Sequence, residues 1–164
     1  MTTTPFPSIV IGADGYTASG AFAQTQAAFL EPDPAEVVEL TQLLEQRNAG
    51  VVAHFYMDPE LQGVLSASSW PHIHISDSLL MADSAVAMVK AGAKSIVVLG
   101  VDFMSENVRA MLDVAGFSHV PVYRVDERPI GCSLAQAAES AEYGAYLARA
   151  AQTPASLHVI YINT

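Results

Sequence analysis

The chain has 164 residues, enough for one well-buried domain or for one domain with a piece of another. Seven basic residues stand against 17 acidic ones for a net charge of −10, a balance that repels phosphate backbones and anionic lipid and so argues against nucleic acid or a membrane surface as partner. One cysteine allows no internal disulfide, which points to a core-dependent fold and a reducing compartment.

Residues 1–33 are rich in Thr, Ala, Gly and Pro and follow no sustained period. They read as a poorly structured leader or linker. The opening MTTTPFPS has neither a basic start nor a long apolar stretch, so no intact targeting signal is expected, and no apolar run approaches the roughly 20 residues of a membrane span. Gly12-Ala13-Asp14-Gly15 has too few glycines for a dinucleotide-binding fingerprint.

From Pro34 the pattern changes. AEVVELTQLLEQRNAG places Val37, Leu40, Leu43 and Leu44 at helical spacing, with Asn48 and Gly50 as the helix stop. GVVAHFY reads as a strand. The alternation then repeats: helical DPELQGVLSAS before extended HIHIS, DSLLMADSAVAMVKAG before SIVVLG, MSENVRAMLDVAG before HVPVYR, and SLAQAAESAEYGAYLARA before LHVIYIN. Strands alternating with helices predict a parallel sheet covered on both faces, and the unbroken apolar runs VVAHF, SIVVLG and LHVIYI fit strands buried on two sides. Met81, Met88, Met104 and Met111 read as core filler, and His119 and His158 as ordinary strand residues.

Ligands bind such sheets beyond the carboxyl ends of the strands. The candidates there are His54 and Tyr56 after the first of these strands, Ser76, Asp77 and Ser78 after the second, Asp102 and Phe103 after the third, Arg124 and Asp126 after the fourth, and Tyr161 and Asn163 after the last. Asp77 or Ser78 could be a helix N-cap or could hold a substrate carboxylate or phosphate. Period-two spacing puts His54 and Tyr56 on one side of a strand end, and Tyr161 and Asn163 repeat the arrangement, which suggests one site built from two sheets. Phenols hydrogen-bonded at the sheet margin are the plainer alternative. His72 and His74 share a strand face and could form half of a zinc site, with no third ligand at a matching spacing. Cys132 precedes a predicted helix, a place that favours a thiolate, or it is a small buried hydrophobe.

VVAHFYMDPELQG, HISDSLLMADSA, VVLGVDFMSENVRAML, IGCSLAQ and VIYINT occur in the order found in quinolinate synthase, and the chain resembles that family from about residue 34 to its end, closest to the plant and algal form through WPHIHISDS. The resemblance implies a three-layer αβα sandwich of class α/β, one of three around a pseudo-threefold axis. Residues 34–131 would be the first domain and residues 132–164 the opening helix and strand of a truncated second. It implies a transferase of de novo NAD biosynthesis that condenses iminoaspartate with dihydroxyacetone phosphate to quinolinate. A [4Fe–4S] cluster would act as Lewis acid, with one cysteine from each domain. Cys132 would then be a metal ligand, His54, Tyr56, Tyr161 and Asn163 catalytic, and Ser78, Phe103 and Met104 substrate-binding or lining residues. An aspartate-oxidising enzyme upstream and a homodimer are the expected protein partners, and a plastid the expected location. The sulfur-transfer module and plastid signal of the plant form are not recognisable in residues 1–33, which resemble the link between modules. One cysteine cannot replace three, so the chain alone is expected to be inactive. A non-catalytic αβα binding or regulatory module, pairing through an exposed last strand, is the alternative.

Overall fold

Asp-Pro pairs open two of the helices in this computed structural model, which describes residues 6–159. Asp33 accepts from the Ala35 N–H at 2.8 Å and starts α2 (Pro34–Arg47), and Asp58 accepts from the Glu60 N–H at 2.9 Å and starts α3 (Pro59–Ala67). Proline at the first helical position loses nothing, because its missing N–H would have had no helical partner. Asn48 ends α2 in the left-handed conformation. Gly50, expected as part of that stop, lies instead within β3 (Ala49–His54), fully buried.

The remaining elements are β4 (Ile73–Ser76), α4 (Ser78–Lys90), β5 (Ser95–Leu99), α5 (Asp102–Val114) and β6 (Val122–Arg124). All pairings among β3 to β6 are parallel, in the order β4-β3-β5-β6. Alternate residues of the central strands enter opposite cores. Val52, Ile96 and Val98 pack with Met81, Ala85, Val108 and Leu112 of α4 and α5. On the other face Val51, Ala53 and Leu99 pack with Leu44 of α2 and Leu65 of α3. The protein is thus α/β, a four-stranded parallel sheet between two helical layers, the three-layer αβα sandwich expected. Met81, Met88 and Met104 are core residues, whereas Met111 is partly exposed.

The stretch before Pro34 carries more structure than its composition suggested. β1 (Ser8–Gly12) and β2 (Gly15–Ser19) form an antiparallel hairpin whose two-residue loop is Ala13-Asp14, with Gly15 at φ +132°. The would-be glycine motif is this turn. A short helix, α1 (Ala21–Ala27), buries Ala23 and Ala27 and packs on α3. A seven-residue helix with Gly20 as its N-cap and no side-chain cap has little periodicity to read, which is why composition alone reads as linker.

After β6 the predicted single helix over residues 133–150 is two: α6 (Ser133–Ala138) and α7 (Ala141–Ala150). Ser140 breaks it by accepting the Tyr143 N–H at 3.2 Å as an N-cap. Leu157, His158 and Val159 are exposed and not in a strand, and the rest of the predicted last strand, with Tyr161 and Asn163, lies outside the described residues. His158 is not a strand residue but hydrogen-bonds the Tyr143 hydroxyl through Nε2 at 2.7 Å. His119 likewise sits in a turn before β6, its ring 6.4 Å from that of Phe117. No helix among the described residues is long and apolar enough to cross a membrane.

Candidate active site

The chain reverses its winding direction between β3 and β5. From β3 it leaves through α3 to one face of the sheet, and from β5 it leaves through α5 to the other. The departing segments part at the carboxyl ends of these two neighbouring strands and leave a crevice, the usual ligand site of an open parallel sheet. A cavity of about 200 Å³ occupies it, lined by His54, Tyr56 and Met57 after β3, Gly100, Val101, Phe103 and Met104 after β5, and Ile130, Cys132 and Leu134 from the segment after β6. Five residues singled out in the sequence, His54, Tyr56, Phe103, Met104 and Cys132, therefore meet in one place.

His54 is the last residue of β3 and only 4% exposed. Its Nδ1 accepts the backbone N–H of Tyr56 at 3.2 Å, so the neutral ring carries its proton on Nε2 and offers it as a donor. Burial pulls the imidazole below its ordinary value, while the Asp77 carboxylate works in the opposite direction. The strand ends at His54, so strand alternation does not pair it with Tyr56. A tight turn, with the Met57 N–H bonding the His54 carbonyl at 3.0 Å, does so instead. The rings of His54, Phe55 and Tyr56 lie 4.6 Å from one another pairwise, His54 stacked on Phe55 and edge-to-face with Tyr56. Tyr56 is 77% exposed, so its phenol stands at the mouth and is not tied into the sheet margin.

Met104 belongs both to the core and to the cavity wall. It lies so close to the end of β5 that a Cβ on Gly100 would fall 2.6 Å from its sulfur, so any larger residue there would push the methionine side chain aside. Cys132 is half-buried, in extended conformation just before α6, and its carbonyl receives the Gln136 N–H at 3.0 Å. The helix it precedes is only six residues long, so the wall of the cavity defines this thiol's surroundings more than a helix dipole does.

Asp77, not Ser78, is the N-cap of α4, accepting from Leu79 and Leu80 N–H groups at 2.9 and 3.1 Å. The Leu80 bond foremost, with that of Leu79, holds its carboxyl below the usual carboxylate value. Ser78 is buried in the first turn of α4 and does not line the cavity. Asp126 pairs with Arg128 at the surface and is held low by it. His72 packs edge-on against Trp70. Among the described residues no three His, Cys, Asp or Glu side chains come together as a metal set, so the His72 and His74 pair gains no third ligand.

Met57, Gly100, Val101, Ile130 and Leu134 of the lining were not read from the sequence. Met57, Gly100 and Val101 follow strand ends and could have been. Ile130 and Leu134 reach the cavity through a loop fold that no local pattern encodes.

Comparison with known proteins shows the family. Residues 38–164 match the family model described as quinolinate synthetase A protein. The chain is 61% identical over 162 residues to the chloroplastic quinolinate synthase of Arabidopsis thaliana and 60% identical over 163 residues to that of Oryza sativa, in each case across 98% of this chain and 23% of the relative. The quinolinate synthase of Gloeothece citriformis is 29% identical over 124 residues, 76% of this chain and 32% of that protein. The match to the plant proteins takes in the hairpin and α1, which precede the family model's first matched residue. The chain spans under a quarter of the length of the plant relatives, and it belongs to the quinolinate synthase family.

Proposed function

We propose that this chain forms one wall of a quinolinate synthase active site, for condensation of iminoaspartate with dihydroxyacetone phosphate in de novo NAD biosynthesis, and that the protein works in a plastid, as the names of its plant relatives suggest. The observation that carries the reading is the convergence of His54, Tyr56, Phe103, Met104 and Cys132 on one cavity at the reversal of the sheet. A thiol facing an apolar, half-enclosed wall is the donor type that an iron–sulfur cluster takes, and Cys132 would supply one ligand. When bound, such a cluster supplies a Lewis-acidic iron that polarises a substrate oxygen or nitrogen.

The chain's own residues have separate tasks. His54, neutral and with its proton on Nε2, donates to a substrate oxygen and passes a proton at that atom. The Tyr56 hydroxyl acts at the mouth, where it meets substrate first. Phe103 and Met104 exclude water from the wall and strengthen the polar contacts made there. Tyr161 and Asn163, beyond the described residues, would complete the set as binders of the intermediate; Ser78 is buried outside this cavity, and its role as a binder of carboxylate or phosphate rests on the family resemblance alone.

A chimera tests this: the matching segment of the Arabidopsis thaliana protein is replaced by this chain and assayed anaerobically for quinolinate. The chimera is expected to turn over. Cys132→Ala is expected to lose both turnover and stoichiometric cluster, and His54→Ala to lose on the order of 10²-fold or more in kcat. A folded, cluster-loaded chimera without turnover would sink the assignment. Because one thiolate is one ligand, the isolated 164-residue chain reconstituted with iron and sulfide is expected to hold no stoichiometric cluster and to form no quinolinate.

A further inference from the structure

Cys132 reaches the cavity on a segment, residues 125–132, that has no helix or strand of its own. Among the described residues, the hydrogen bonds between this segment and α5 both go to one residue, Asp102. Asp102, the first residue of α5, lies between the lining residues Val101 and Phe103. One carboxylate oxygen accepts from the guanidinium of Arg124 at the end of β6, and the other accepts the Ile130 N–H at 3.1 Å. The Asp102 N–H in turn donates to the Ile130 carbonyl at 2.9 Å. Both backbone polar atoms of Ile130 are therefore held by one residue, two positions before the cysteine, and both Ile130 and Cys132 line the cavity.

An aspartate in a first helical turn is ordinarily explained by the helix dipole or by capping. Here its oxygens bond Arg124 and Ile130, and the α5 N-cap, Val101, has no side-chain cap. The ion pair, with side chains 29% and 39% exposed, is by itself a weak tie. Coupled to two hydrogen bonds on a single residue, it becomes a latch with a defined register.

We propose that Asp102 is a positioning residue that latches the segment before Cys132 onto the carboxyl end of β5 and so sets where the thiol sits opposite His54. Its bearing on catalysis rests on the reading of Cys132 as a cluster ligand, but the latch itself does not. The chain's single cysteine makes the test direct. In the metal-free chain, Cys132 alkylation by iodoacetamide and amide exchange at Ile130 are measured for the parent protein, Asp102→Ala, Asp102→Asn and Arg124→Gln. Asp113→Ala, which breaks an ion pair elsewhere on the same helix, is the control.

Asp102→Ala is expected to speed Ile130 exchange by about tenfold and to change the alkylation rate by about threefold or more, as a local opening does. Asp102→Asn, which keeps an acceptor for the Ile130 N–H, returns part of the way, and the control stays within about twofold of the parent. A folded Asp102→Ala protein with parent-like alkylation overturns the proposal, even if Ile130 exchanges faster. Should that variant fail to fold, Arg124→Gln decides, with a change of about twofold or more expected and a parent-like rate overturning the latch. Since no cluster or turnover enters these readouts, their failure leaves the enzyme assignment intact, and failure of the chimera leaves the latch intact.

Discussion

His54 shows how one residue's chemistry is set by its immediate neighbours. The Tyr56 N–H occupies Nδ1, burial disfavours the imidazolium, and Asp77 only partly opposes that cost. A lowered folded-state value means that the unfolded chain binds more protons between the folded value and the ordinary one of about 6.5. Stability from this group is therefore complete above about pH 6.5 and is lost as pH falls toward the folded value. NMR titration should give His54 a midpoint below the ordinary value, and His54→Gln should flatten the fall in denaturation midpoint over the same acid window. Equal acid slopes in the two proteins would contradict the burial argument. His54 and Cys132 were legible as residue types, because a histidine at a strand end and a single cysteine stand out. Asp102 was legible only as a member of the polar rim, since its partners lie 22 and 28 positions away.

At the scale of elements, capping chemistry starts α2, α3 and α4: Asp33, Asp58 and Asp77 each cap a helix, and each cap is worth about 1 kcal/mol. The same chemistry at Ser140 divided a helix that apolar spacing alone would have continued. The hairpin and α1 gave no such signal, and they are attached by packing. Gly63 of α3 lies so close to the chain after α1 that an added Cβ would fall 2.9 Å from the Phe29 carbonyl oxygen. Gly63→Ala should therefore push the hairpin and α1 off α3 at a cost of about 1–3 kcal/mol, partly offset by alanine's higher helix propensity. The expected result is faster limited proteolysis between residues 8 and 30 with the αβα core still protected. A proteolysis pattern like that of the parent would show that α1 does not dock this way.

For the molecule as a whole, burial is distributed unevenly. Six consecutive residues of β3 are buried, whereas neither α6 nor α7 buries a single residue, and Leu134, Tyr146, Leu157 and Val159 are exposed. Local stability follows buried apolar contact. Hydrogen exchange of the chain is accordingly expected to protect β3 and β5 by at least about two decades more than α6 and α7. Comparable protection in both regions would mean that the segment after residue 132 is held by contacts other than those described.

By itself, the sequence determined the class of the fold and the family. The period of its apolar residues and the polar strand ends are local properties, and a parallel sheet follows from the alternation of helical and extended segments. Tertiary structure alone decided the order β4-β3-β5-β6, and with it which strand ends are neighbours. That order brings His54 and Cys132, 78 positions apart, to one cavity, leaves Ser78 outside it, and gives Asp102 a loop to hold. Proximity between distant residues depends on how crossover connections pack against the sheet, and no window of sequence contains that information.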